Sequence, residues 1–209
     1  MLNELKEIRK EIKKFSSELR AQINRSFFKT GKGEYGEGDV FLGLTVPLHR
    51  KIAKNHENLP LKYVEALLKS KIHEERLIAL FILIKQFQRD KNLVNFYLSH
   101  RHGVNNWDLV DSSADKILGQ AILDGVKDKW LLYSLAKSTK LWDKRIAIVA
   151  TFQLIRNNKF EDTLKIAEIL LKDTHDLIHK AVGWMLREVG KRNCKILEDF
   201  LKKHYKQMP

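Results

Sequence analysis

This sequence predicts an all-α fold, on three observations. Apolar residues recur at helical spacing along nearly the whole chain, and alternating strand patterns are absent. From Pro60 onward, helical segments of about 10–15 residues are separated by short turns and return at a near-constant interval. With 209 residues, 44% of them hydrophobic and three prolines, the chain has the composition of one ordered domain over residues 1–209 or of a continuous repeat array.

The first element is a long amphipathic helix over residues 1–28, because Leu2, Leu5, Ile8, Ile12, Phe15, Leu19 and Ile23 form one stripe. A glycine-rich loop over 29–43 follows. Its Gly31-x-Gly33-x-x-Gly36 has the letters of a dinucleotide fingerprint, but those letters cradle a pyrophosphate only between a strand and a helix, and here they follow a helix. Lys29 and Lys32 are the phosphate-contact candidates of this loop. Beyond it, the small residues Ala79, Ala114, Ala150 and Gly183 are separated by 35, 36 and 33 positions. That is the spacing of HEAT-type helix-pair repeats, in which a small side chain lets two helices approach closely.

Charge and cysteine usage narrow the function. The 39 Lys and Arg exceed the 26 Asp and Glu, giving a net charge of +13, a field that attracts polyanions. Cys194 stands alone, and the N-terminus lacks the apolar core of a secretory signal, so the expected location is the reducing cytoplasm. The longest apolar run, Leu77 to Ile84, is far below the roughly 20 residues that span a bilayer, and no membrane contact is expected. His175 and His179 have helical metal-ligand spacing, but Asp176 replaces the glutamate of the zinc-protease motif and no third ligand is evident; no metal is expected. Cys194 reads as buried or incidental, and His100-Arg101-His102 as a loop.

The chemistry concentrates at Asn105-Asn106-Trp107-Asp108-Leu109-Val110-Asp111. Trp107 and Asp111 are four positions apart and share one face of a predicted helix, and a carboxylate beside an indole in a basic protein suits work on a cation held against nucleic acid. Repeat register brings in two more residues. Asp111 and Arg145 are 34 apart, while Trp107 to Arg145 and Arg145 to Trp184 are 38 and 39, which places all four on one concave face. Taken singly, these residues keep structural alternatives: Asp111 and Arg145 also fit an Asp–Arg ladder between repeats, and a helical tryptophan is commonly packing, the reading adopted for Trp130 and Trp142.

Three segments together, 105–111, Leu141-Trp-Asp-Lys-Arg-Ile-Ala-Ile148 and His179-Lys-Ala-Val-Gly-Trp-Met-Leu-Arg-Glu-Val-Gly-Lys191, resemble the AlkD-like DNA alkylation repair family in order and separation. The likeness extends back to Phe27-Phe28-Lys29-Thr30-Gly31 and forward to His204-Tyr205-Lys206. It implies a right-handed superhelix of HEAT-like repeats that grips double-stranded DNA and hydrolyses the N-glycosidic bond of N3- or N7-alkylated purines. By position, Asp111 would be the catalytic carboxylate, Trp107 and Trp184 aromatic walls, Arg145 a phosphate contact and Arg187 a further backbone contact. The family also places an N-terminal aromatic beside the lesion; Phe27, Phe28, Tyr35 and Phe41 all remain candidates. Sequences of this family usually continue into another arginine- and tyrosine-bearing helix, whereas this chain ends at Lys206-Gln207-Met208-Pro209. A cofactor-free monomer with no obligate protein partner is expected. The alternatives are a non-catalytic HEAT-repeat binder of damaged or branched DNA, and a HEAT scaffold for protein partners.

Overall fold

The computed structural model describes residues 3–208 and is all-helical. Leu2, the first position of the predicted stripe, lies outside the described residues. Among these, extended pairing is confined to one bridge between Val40 and Ile72. Among the described residues, no helix is long and apolar enough to cross a membrane. The chain divides into two compact units, 1–109 and 110–209.

The first unit contains α1 (Asn3–Lys14), α2 (Glu18–Phe27), α3 (Val46–Asn55), α4 (Leu61–Leu68), α5 (His73–Arg89) and α6 (Leu93–Ser99). Its centre is α5, packed against α3, α4 and α1. Beyond its first turn α5 is apolar on nearly every side, and Leu77, Ile78, Leu80, Ile82, Leu83 and Phe87 are buried, the pattern of a helix enclosed all round.

The predicted N-terminal helix is two helices. Ser17 takes an extended conformation (φ −141°, ψ 110°) and donates its N–H to the Leu42 carbonyl at 2.8 Å. Gly43 presses on the same break with φ +80°: a Cβ there would lie 2.2 Å from the Ser17 carbonyl oxygen, so only glycine fits. The stripe turns outward at this point. Ile8 and Ile12 are buried, whereas Leu19 and Ile23 are exposed and Ala21 is buried in their place. In the loop that follows, Glu34 and Glu37 accept from the Gly31 and Gly33 N–H groups at 2.7 and 2.8 Å, so the loop's own carboxylates occupy the amides of the apparent fingerprint.

α7 (Trp107–Ala114) runs across the division and continues as a π-helical turn (Asp115–Gly119) into α8 (Gln120–Leu123). The second unit adds α9 (Trp130–Ala136), α10 (Leu141–Ala150), α11 (Phe152–Arg156), α12 (Glu161–Leu170), α13 (Asp176–Gly190) and α14 (Cys194–His204). α10 is its buried centre, between α9 and α13. Ala114 and Ala150 are fully buried, as the repeat spacing predicts, but Gly183 is exposed with open space around its Cβ position. The close approach falls instead at Gly119, where a Cβ would lie 2.2 Å from the Ala150 carbonyl oxygen. Trp130, read as packing, is 65% exposed at the N-terminus of α9, while Trp142 is half-buried.

Candidate functional site

Charged residues are buried where the central helix of each unit begins, and each has partners. In the first turn of α5, Glu74 accepts from the Leu42 and Gly43 N–H groups at 3.0 and 2.8 Å, and Glu75 pairs with Arg9 at 3.1 Å. Arg76 donates to Asp39 at 2.7 Å and to the Ser70 carbonyl at 2.8 Å. His73 lies between two carboxylates, its Nε2 2.8 Å from Asp108 and its Nδ1 3.3 Å from Asp39.

That network carries an aromatic cluster. Phe28 stacks on the Trp107 indole with centroids 5.2 Å apart and planes 15° apart. Phe28 also contacts Phe41 at 5.0 Å and the His73 ring at 4.9 Å, and Phe41 stacks on His73 at 4.6 Å. Phe27 approaches Trp107 edge-on at 5.7 Å and is 62% exposed, unlike Phe28 and the buried Phe41. Among the N-terminal aromatic candidates, Phe27 is exposed and contacts Trp107, and Phe28 contacts Trp107 from a half-buried position.

His73 and His49 titrate in opposite directions. Burial works against a charge on His73, but the Asp108 and Asp39 carboxylates outweigh it and raise the pKa from 6.5 to about 9. Burial lowers His49 to about 4, helped by the charge on His73, and neither ring nitrogen of His49 has a hydrogen-bond partner. The stabilisation from His73 is thus complete below its unfolded value of 6.5 and is lost as pH rises through about 9. That from His49 is present above 6.5 and is lost as pH falls through about 4. Urea midpoints are accordingly expected to fall on both sides of this window. His73→Gln should flatten the alkaline limb, and an unchanged alkaline limb in that variant would contradict the assignment.

In the second unit the sequence-predicted carboxylate and arginine meet. Arg145 Nε donates to Asp111 Oδ1 at 2.9 Å and Nη2 to Oδ2 at 2.8 Å, a bidentate fork, while Nη1 donates to the Leu177 carbonyl at 2.5 Å. The Arg145 side chain is 6% exposed and that of Asp111 20%. The guanidinium therefore orients a carboxylate that still reaches solvent. Trp184, half-buried on α13, contacts Phe152 at 5.6 Å, and the Arg156 guanidinium lies 4.0 Å from the Phe152 centroid. Arg187 is exposed, one turn beyond Trp184.

The profile of the family described as DNA alkylation repair enzyme matches residues 8–209. The chain belongs to the DNA alkylation repair enzyme family. A solved structure described as a predicted DNA alkylation repair enzyme from Enterococcus faecalis is 19% identical over 90% of this chain and 89% of that one, with a TM-score of 0.72. A second, smu.31 from Streptococcus mutans UA159, is 20% identical over 95% of this chain and 89% of that one, at a TM-score of 0.53. At these identities both likenesses speak for the DNA alkylation repair fold. A comparison with curated proteins found no match.

Within this family member, Asp111 and Arg145 stand together as the repeat register expects, Trp107 belongs to the first unit's aromatic cluster, and Trp184 and Arg187 share α13. Sequence reading passed over the His73 network. The signal was present: Asp39 to His73 and His73 to Asp108 are 34 and 35 positions, nearly the 34 that links Asp111 to Arg145. The two histidines of 175–179 have backbone partners, His175 Nδ1 accepting from the Leu177 N–H at 3.2 Å and His179 Nε2 contacting the Asp173 carbonyl. Cys194 is exposed.

Proposed function

We propose that this chain is a DNA glycosylase that hydrolyses the N-glycosidic bond of N3- or N7-alkylated purines in duplex DNA, a step of base excision repair. Family membership supports a DNA substrate carrying alkylation damage. The observation that carries the reading further is Asp111, held by both oxygens on Arg145 while a fifth of its side chain stays accessible.

Alkylation at N3 or N7 places a positive charge on the base. Breaking the bond from C1′ returns the electron pair to the base, which leaves neutral and needs little help from an acid. The charge passes to the sugar as an oxocarbenium ion, which a fixed carboxylate stabilises; the same carboxylate orients the water whose oxygen bonds to C1′ and whose proton is released. Arg145 keeps Asp111 in one orientation, which removes the reorganisation that a free side chain would need. Indole faces favour the cationic state by roughly 0.5–2 kcal/mol, the role assigned here to Trp107 and Trp184, with Phe27 beside Trp107 as the N-terminal aromatic. Arg187, exposed on α13, is the proposed backbone contact, and Arg145, which holds Asp111, is the proposed phosphate contact. The enzyme acts without a cofactor or obligate protein partner, as a cytoplasmic monomer.

The direct test is incubation with duplex containing 7-methylguanine and assay for free base. Release supports the reading; no release at saturating protein replaces it with a non-catalytic binder of damaged DNA. Binding to undamaged duplex is expected to weaken with salt at a log–log slope of about −0.9 per phosphate neutralised, and Arg187→Ala to make that slope shallower by about one. Fluorescence anisotropy across a salt series measures it, and an unchanged slope removes Arg187 from the phosphate contacts.

A further inference from the structure

Trp107 is fixed from both sides along the chain. Asn106, the residue before it, is fully buried; its Oδ1 accepts from the Trp107 N–H at 2.8 Å and its Nδ2 donates to Asp39 Oδ2 at 3.3 Å. Asp108, the residue after it, accepts from the Leu109 N–H at 2.8 Å through Oδ1 and lies 2.8 Å from His73 Nε2 through Oδ2. The two anchors converge on one ring, because Asp39 Oδ2 is also 3.3 Å from His73 Nδ1. A third link passes through ring contacts alone. Phe28 lies 4.9 Å from the His73 ring and stacks at 5.2 Å on the indole.

We infer that His73 is a positioning residue for Trp107, holding Asn106 through Asp39, Asp108 directly, and the indole itself through Phe28. The protonated imidazole is the form that can serve both carboxylates, since only then do both ring nitrogens donate. The charges that face it are Asp39 from the loop before α3, Asp108 from α7, Arg76 from α5 and the neutral His49 from α3. With His73 and Arg76 each positive, and Asp39 and Asp108 each negative, the cluster balances, which permits its burial. The first turn of a helix disfavours a cation, so without Asp108 and Asp39 the proton would leave. Deprotonation removes one donor, frees either the Asp108 or the Asp39 anchor, and loosens the start of α7. Burial opposes the protonated form, yet the carboxylates keep His73 charged up to about pH 9, so the clamp is closed at neutral pH.

The test uses the full-length protein carrying 5-fluorotryptophan, with the Trp107 resonance among the four tryptophans assigned by its loss in Trp107→Phe. In the wild type the Trp107 resonance is expected to hold steady through neutral pH and to move as pH rises through about 9. Asp108→Asn should bring that midpoint down toward the ordinary imidazole range, and His73→Gln should abolish the transition while displacing the resonance at neutral pH. A transition that persists unchanged in folded His73→Gln, or an Asp108→Asn midpoint equal to that of the wild type, overturns the inference. Should His73→Gln fail to fold, the Asp108→Asn midpoint decides alone.

An activity arm rests on the glycosylase reading. His73→Gln is expected to slow single-turnover release of 7-methylguanine about 10- to 100-fold, the scale of a misplaced positioning group, with affinity for undamaged duplex within about twofold. Its rate should also lose the decline that the wild type shows as pH passes His73's value. Equal rates and equal pH profiles overturn the positioning role. If the wild type releases no base at all, the glycosylase reading fails, while the fluorine spectra still decide the inference.

Discussion

Asp111→Asn is expected to slow single-turnover release of 7-methylguanine from duplex DNA by about 10²–10³, the scale on which removing one electrostatic stabiliser of a transition state acts. The amide keeps the shape of the side chain and one acceptor for Arg145 Nε, but it loses the negative charge that faces the oxocarbenium sugar. It also affects stability. Arg145 is buried and its Nη2 would meet an amide N–H in place of Oδ2. A loss of about 1–3 kcal/mol follows from leaving that donor unsatisfied, so rates belong well below the melting temperature, at saturating protein. Arg145→Lys separates charge from orientation. It retains a cation beside Asp111 without the fork, and should reduce the rate by less than Asp111→Asn. Release by Asp111→Asn within about twofold of the wild type would remove Asp111 from catalysis.

The second large effect concerns the charge of the lesion. Release of cationic 7-methylguanine or 3-methyladenine should exceed that of the neutral 1,N6-ethenoadenine or uracil by about 10²–10⁴, the contribution a general acid makes where a neutral base must be protonated to leave. Both Asp111 oxygens accept from Arg145, an arrangement suited to a carboxylate and poorly suited to a proton donor. The aromatic faces act in the same direction, because an indole gains from facing a cation. Parallel single-turnover assays on the four lesions measure the ratio, and comparable rates on charged and neutral bases would refute this mechanism.

Legibility differed between the two units for a physical reason. The Asp111–Arg145 pair was readable from spacing because both residues lie on helices, α7 and α10, and their separation of 34 positions is close to the interval read from the sequence. The His73 cluster has the same register but draws its third member, Asp39, from the glycine-rich loop, where no periodicity indicates which way a side chain points. The choice among Phe27, Phe28, Tyr35 and Phe41 failed at the sequence level for a related reason. The break at Ser17 rotates α2 relative to α1, and a continuous stripe gives no sign of that rotation. Gly183 misled because a glycine at the right interval carries the same letter whether a neighbour is close or absent, and the close neighbour was at Gly119.

By itself the sequence determined the all-helical class, the basic character and the family, since helical periodicity, charge and the three motif segments are properties of the chain in order. Only the tertiary structure decided which charged groups are buried and what they hold: Arg145 as the fork on Asp111, His73 as the clamp on both neighbours of Trp107, and Phe27 as the exposed ring beside it. A burial penalty and the partner that offsets it depend on distances of a few ångströms between residues far apart in the chain, and no local pattern encodes those distances.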